Sequence, residues 1–220
     1  MKKIKSLSAV VICLCLIAGI FAGCSKISLE GQWKSTYDLS DSIAESWDMT
    51  DDAEYGQYYD KFDEKLSVDV IYTFDKDNNY TCAVDEEKLR ADLDALAEKV
   101  TNYVAEGMYK YVEDNGESRD DFDAYYAEEN GIALYDDLYV SAKEDCDQMF
   151  SEIVEEFTES EPQLMGFKDD RIYHTDKNGN ELGYQTYTLE GDTLTITGEY
   201  DMQDNPVDEE SYPIVATKIA

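Results

Sequence analysis

Two kinds of apolar spacing divide the chain. Between residues 67 and 84, apolar and polar residues alternate, and the polar segment 75–79 interrupts the alternation. A period of two is typical of a half-buried strand, so this pattern predicts a β-hairpin. From residue 85 onward, apolar residues recur about every 3.6 positions, as they do on one face of a helix. The chain is therefore expected to change from strand to helix at residue 85.

The helical spacing continues to residue 160 in three runs. The first is expected to end at Asn115-Gly116, and it carries the apolar stripe Leu89, Leu93, Leu96, Val100, Tyr103 or Val104, Met108 and Tyr111. A shorter helix is expected to begin after Ser118 and end at Asn130-Gly131. The third run carries the apolar stripe Tyr135, Tyr139, Ala142, Cys146, Met149, Ile153 and Phe157. Such stripes are typical of packing faces. Residues 85–160 are therefore predicted to be a folded helical insertion.

Strand signals flank this insertion. Residues 31–38 predict a first strand, followed by a loop or short helix with Ser40 or Asp41 as its cap. After the insertion, strands are expected from Arg171, with a hairpin at Asn178-Gly179 and a meander that continues to the end. The predicted fold class is α+β, an antiparallel meander or barrel interrupted by helices, with residues 31–220 as a single domain.

The start of the chain has the layout of a signal peptide. Three lysines precede an uncharged apolar run that ends in Ala22 and Gly23. With Cys24, this stretch resembles the bacterial lipobox, although Phe21 stands where that motif usually has Leu. The resemblance implies cleavage after residue 23, a diacylglycerol on Cys24 as the only covalent group, and a tether over residues 24–30. The expected location is the extracytoplasmic face of the cell membrane.

Charge limits the partners. The formal net charge is −33, and removal of the leader would remove three lysines and no acidic residue. Such a surface repels phosphate backbones and attracts cations and basic proteins. Nucleic acid is therefore excluded as a partner. The many Tyr and the periodic aliphatic residues favour a folded protein over a disordered one.

The stretch "GQW" at residues 31–33, the meander and a final strand in "YPIVATKI" resemble the lipocalin-like, or calycin, pattern. The chain also resembles lipoproteins of gut Firmicutes that carry a helical insertion. The lipocalin resemblance implies that Gly31 starts the first strand, that Trp33 plugs one end of a barrel, and that a basic residue of the last strand, here Lys218, stacks on Trp33. It also implies that ligands bind inside the barrel.

The chain has few histidine and cysteine residues from which a catalytic site or a zinc site could be built. His174 is the only histidine and lies in a predicted strand, so we expect a structural or surface role and name no catalytic residue. Beyond the anchor, only Cys82 and Cys146 remain in the mature chain. They can form a disulfide in an exported protein, or they can be two buried thiols.

A calcium site is the one metal site that the spacing suggests. Asp75, Asp77 and Asn79 occupy alternate positions, and Glu86 follows Asp75 by the spacing of an EF-hand loop. Tyr80 stands where that loop needs Gly, and a strand enters the segment. We therefore favour a polar hairpin turn and expect no bound metal.

Two function classes remain. The first is a non-enzymatic surface lipoprotein that binds a small apolar molecule, a glycan or a basic protein. The second is a carboxylate-based glycan hydrolase, which needs two acids facing a cleft about 5–9 Å apart. With 51 acidic residues, the sequence alone cannot identify such a pair.

The anchor gives a direct prediction. Cys24→Ala should release the mature protein from the membrane or leave an uncleaved precursor, because the acylated thiol would be missing. Metabolic labelling with a clickable fatty acid should mark the wild-type protein and leave the variant unlabelled. An unlabelled wild-type protein would contradict the lipoprotein interpretation.

Overall fold

The described part of the chain has an α+β fold, an eight-stranded antiparallel half-barrel sheet with four helices. The computed structural model describes residues 30–77, 79–168, 171–176, 178–207 and 212–219. The predicted signal peptide (1–23), Cys24 and the tether up to residue 29 lie outside these residues. Within the described ranges, no helix combines the length and apolarity that a membrane crossing requires.

The elements follow one another in the predicted order of strands, helices and strands. The strands are β1 (Gly31–Asp38), β2 (Ser67–Phe74), β3 (Asn79–Val84), β4 (Glu159–Lys168), β5 (Arg171–Thr175), β6 (Glu181–Glu190), β7 (Thr193–Asp201) and β8 (Ile214–Lys218). The helices are α1 (Ser40–Trp47), α2 (Glu86–Asp114), α3 (Arg119–Asn130) and α4 (Leu134–Phe157), and Gly56–Tyr58 forms a 3₁₀ turn. The expected helical insertion between β3 and the later strands is confirmed.

The strands form one curled antiparallel sheet. From β2 to β8 each strand pairs with the next along the chain, and β8 pairs with β1, with Trp33 opposite Lys218. β1 and β2 are also neighbours in the sheet. Side chains link these two strands: Asp69 of β2 accepts hydrogen bonds from Lys34 and Thr36 of β1, at 3.2 and 2.6 Å. The predicted antiparallel meander is confirmed.

The chain packs as two compact units. Among the described residues, the helical unit contains 38–67 and 86–153, and the sheet unit contains 30–37, 68–85 and 154–219. The core of the sheet unit follows from strand alternation, since every second residue points to the same face. Its inner face buries Val68, Val70, Leu194 and Ile196, each 1 % exposed or less.

The residues named from the lipocalin resemblance lie together. Gly31 has φ = 129°, a backbone conformation that side chains rarely adopt. Trp33 is 2 % exposed, and the Lys218 ammonium lies 5.3 Å from the centroid of its ring. Lys218 also donates to the carbonyl of Glu30 at 3.1 Å. The first and last strands are therefore joined by a cation–π contact as well as by the ladder.

Three turns share one arrangement that the sequence analysis missed. In each, an Asp side chain accepts from backbone N–H groups two and four residues later and from the side-chain amide of an Asn four residues later. The pairs are Asp75 with Asn79, Asp176 with Asn180, and Asp201 with Asn205. The hydrogen bonds from Asn180 and Asn178 lower the pKa of Asp176 to about 2. The turns therefore satisfy their own polar groups without a metal.

The helical unit is built on α2 and α4. Leu93 and Ala97 of α2 and Cys146 of α4 are fully buried. Arg90 links the two helices, because its guanidinium lies 3.7 Å from the centroid of the Phe150 ring and donates to Asp147. Both expected stripes are therefore buried along their middle parts, whereas Tyr111 and Tyr135 near their ends are 39 % and 41 % exposed. Burial also raises the pKa of the Cys146 thiol to about 11.

Two local predictions were wrong. The cap of α1 is neither Ser40 nor Asp41: Leu39 stands at the N-cap, and Asp38 accepts the hydrogen bond from the Ser40 N–H instead. The whole of β4 was missed, since its sequence contains Pro162 and three charged residues. Pro has no N–H for a sheet ladder, so it argues against a strand in any single-sequence analysis. The cap of α3 at Ser118 is confirmed, since its hydroxyl accepts from the Asp121 N–H at 3.1 Å.

The burial of Trp33 predicts a large stability loss. Trp33→Ala should lower the free energy of unfolding by about 3–5 kcal/mol, because the deleted ring leaves a cavity under β1. Trp47→Ala is the matched control, since Trp47 is only partly buried and packs edge-on against Phe62 at 6.3 Å. Urea unfolding followed by circular dichroism measures both. Equal small losses at the two sites would contradict the structural role of Trp33.

Candidate functional site

The helical unit contains an apolar pocket of about 300 Å³. Four aromatic rings line it, those of Tyr55, Tyr59, Tyr111 and Phe122. Met49, Met108 and Val112 complete the lining with the backbone at Gly107. None of these eight described residues is charged. A concave, apolar and aromatic surface of this size fits a small organic molecule.

The segment that follows α1 supplies three of the lining residues. Asp52 holds its turn by accepting from the N–H groups of Glu54 and Tyr55, at 2.9 and 2.8 Å. The Met49 N–H donates to the Tyr103 hydroxyl at 3.0 Å, which ties this segment to α2. A loop without regular structure along most of its length is thus fixed by side-chain hydrogen bonds.

A close approach at Gly107 shapes the floor of the pocket. The Tyr59 ring lies so near the α2 backbone that a Cβ at residue 107 would be 2.0 Å from its Cε1 atom. The other side of Tyr59 packs on Tyr103, with ring centroids 5.2 Å apart. Glycine in a helix interior costs stability relative to alanine. Here its missing side chain is what admits the tyrosine ring.

Tyr55 and Tyr111 form the rim of the pocket, and Tyr58 packs against Tyr111 outside the lining. Tyr111 meets Tyr55 and Tyr58 edge-on, with centroids 5.3 and 5.4 Å apart and interplanar angles of 81° and 80°. The Tyr58 hydroxyl donates to the Asp114 carboxylate at 3.0 Å. Tyr55 and Tyr111 are 37 % and 39 % exposed, so the rim is open to solvent.

The wall that α3 provides is held by Tyr109. Phe122 packs edge-on against Tyr109 at 6.4 Å, and the Tyr109 hydroxyl donates to Asp123 at 2.9 Å. Burial, followed by this hydrogen bond, raises the pKa of Tyr109 to about 12. Arg119 stacks on the same ring at 4.8 Å and pairs with Glu106 and Glu113. Phe122 is thereby fixed against α2.

A separate polar cluster lies on the inner face of the sheet unit. Gln185 is fully buried and donates to Glu199 at 3.2 Å, and the Tyr212 hydroxyl donates to the same carboxylate at 2.9 Å. An irregular register at Thr186 and Tyr187 leaves Thr197 outside the paired residues, and this brings Glu199 to the face of Ile196. The cluster is a polar exception in an apolar core.

The only histidine belongs to this cluster. His174 pairs with Gly183 on the face that carries Gln185, and its Nε2 is buried without a hydrogen-bond partner among the described residues. Burial lowers the pKa of His174, and the charge of Glu199 partly opposes that effect. The imidazole is therefore neutral near pH 7, as a structural histidine would be.

The remaining predicted site residues lie apart from the pocket. Cys82 and Cys146 are both buried free thiols, so the disulfide alternative is not found. Asp75, Asp77 and Asn79 form the β2–β3 turn, where Asp75 already accepts three hydrogen bonds, and Glu86 begins α2. In the part of the chain that is described, no three His, Cys, Asp or Glu side chains are grouped to hold a metal ion.

Sequence reasoning missed the pocket. Met108 and Tyr111 were assigned to a packing stripe, and the segment with Tyr55 and Tyr59 was left unassigned. Two signals were present: a tyrosine-rich loop and one glycine inside a long helix.

Comparison of the chain with protein-family models, curated proteins and solved structures finds no match. The assignment of a site therefore rests on its geometry.

The contact at Gly107 predicts that replacing this glycine with alanine lowers stability, the opposite of the usual effect in a helix. Gly→Ala in a helix usually stabilises by about 0.5–1 kcal/mol, but Gly107→Ala should destabilise by about 1–3 kcal/mol because the methyl group collides with Tyr59. In a Tyr59→Ala background the same change should be neutral or stabilising. Urea unfolding of the four proteins gives the coupling. Stabilisation by Gly107→Ala in the wild-type background would refute the contact.

Proposed function

We propose that this chain is a lipid-anchored, extracytoplasmic binding protein that takes a small organic molecule into the apolar pocket of its helical unit. The observation that carries the proposal is the aromatic and methionine lining around about 300 Å³. Ligand pockets start at about this volume, so the ligand is of the size of one or two rings. Methionine is flexible and polarisable and adapts to ligands of different outline.

The burial of the inner face of the sheet favours the helical unit as the part of the protein that binds the ligand. Leu194, Ile196 and Ile172 are fully buried, and Trp33 is nearly so. A face with such burial acts as a core that holds the fold. We therefore assign ligand binding to the insertion and a supporting role to the sheet, which revises the barrel-interior site that the lipocalin resemblance implied.

The predicted leader, the lipidation motif and the net charge of the chain support the rest of the proposal. The leader and Cys24 fit an exported, acylated protein, and a diacylglycerol anchor holds a protein on a membrane without a spanning helix. The net charge of −33 favours approach of neutral or cationic molecules over anionic ones. The hydrolase alternative stays a prediction, since no described pair of carboxylates singles it out.

A fluorescent probe tests the site. The wild-type protein should bind the neutral dye N-phenyl-1-naphthylamine saturably, with a rise in fluorescence. Tyr111→Ala removes one wall and should weaken binding about 10- to 100-fold, because a buried ring contributes about 1.5–3 kcal/mol.

Tyr125→Ala is the matched control. Tyr125 also belongs to the helical unit, but it is 63 % exposed and does not line the pocket. Its loss should leave the affinity unchanged. Equal effects of the two substitutions, or the absence of saturable binding to the wild type, would contradict the proposal.

A further inference from the structure

The ring orientations of the pocket rim suit a cation. Tyr111 stands nearly perpendicular to Tyr55, and Tyr59 and Phe122 add two further rings to the lining. Aromatic rings carry negative potential on their faces, and several rings in different planes can surround an ammonium group. A purely apolar ligand gains nothing from this arrangement beyond the area that it buries.

Carboxylates strengthen the negative potential of the rim. The Tyr58 hydroxyl donates to Asp114 at 3.0 Å, and Glu54 precedes Tyr55 in the chain. Interaction with the Glu54 carboxylate raises the pKa of Tyr55, and the hydrogen bond to Asp114, followed by burial, raises the pKa of Tyr58. Both rings therefore stay protonated and neutral. A phenol that donates to a carboxylate has a more electron-rich ring, and so a stronger attraction for a cation.

Two basic residues close in sequence to the lining, Lys110 and Arg119, are already paired. Lys110 precedes Tyr111 and lies 2.8 Å from Asp60. Arg119 begins α3 and lies 2.8 Å from both Glu106 and Glu113. A ligand cation would therefore find these two positive charges already compensated.

Hydration selects the kind of cation. A primary ammonium is strongly hydrated and would lose its water on entering a pocket whose lining side chains are all uncharged. A quaternary ammonium has no N–H to satisfy and loses less, and aromatic cages bind such groups. The pocket volume leaves room for an apolar group attached to it.

We infer that the ligand of this pocket is an organic cation, a quaternary ammonium group joined to a small apolar body. This inference rests on the proposed function, since it specifies the ligand class of the same site. Tyr55 and Tyr111 face the ammonium at the open rim, and Met49, Met108 and Phe122 contact the apolar part.

A pair of isosteric ligands tests the inference. Phenyltrimethylammonium and tert-butylbenzene have the same shape and differ by a charged nitrogen in place of carbon. Wild-type protein should bind the cation more tightly, on the order of tenfold, because cation–π attraction exceeds the desolvation cost. Titration calorimetry or NMR titration at physiological salt measures both affinities, and that salt screens attraction from distant surface charges.

Three variants test whether the preference for the cation depends on the Tyr111 ring. Tyr111→Leu keeps an apolar wall and should bring the ratio of the two dissociation constants close to one or reverse it. Tyr111→Phe keeps the ring and should retain most of the preference. Tyr125→Leu, outside the pocket, should leave the ratio as in the wild type.

The outcomes separate the inference from the proposed function. Tighter binding of tert-butylbenzene in a Tyr111-dependent way would overturn the cation inference and leave the apolar pocket standing. A cation preference that Tyr111→Leu does not change would also overturn it. If neither compound nor the naphthylamine dye binds, the proposed function fails with it.

Discussion

The contact of the Tyr59 ring with the bare backbone at Gly107 is the constraint on which the pocket depends. It brings the segment between α1 and β2 onto α2 more closely than any residue with a Cβ would allow. That segment also supplies Tyr55 and Met49, so the contact sets the distance between the two sides of the pocket. Where a ring fills the space that a Cβ would take, dispersion contacts offset the entropic cost of glycine in a helix.

Apolar periodicity predicted most of the fold because it reports the burial of whole faces. The stripes of α2 and α4, the β2–β3 hairpin and the meander each repeat one period over many residues. Single residues decided the failures. Pro162 argued against a strand where β4 forms. At the start of α1, the hydrogen bond from the Ser40 N–H goes to Asp38, which precedes the two residues predicted as caps. A period gives no information about an exception that lies at one position.

The pocket was beyond prediction for a related reason. Its lining comes from the segment after α1, from α2 and from α3, and no short sequence window contains all three. Tyrosine and methionine also fill ordinary cores, so their presence on a stripe does not distinguish a wall from packing. Gly107 was the one informative residue, since a conformationally costly residue in the middle of a long helix needs a reason. The sequence analysis assigned no role to Gly107, and a glycine by itself does not show which side chain approaches it.

Topology explains how the insertion can carry a pocket while the sheet stays intact. β3 and β4 pair directly, with Cys82 opposite Glu159, although α2, α3 and α4 all lie between them in sequence. The sheet ladder therefore continues across the insertion point. Closing a longer connection costs little, about 0.6 kcal/mol for each doubling of a flexible loop. The helices need only satisfy their own packing, which leaves Tyr111 and Phe122 at positions where no ladder or strand alternation constrains their choice.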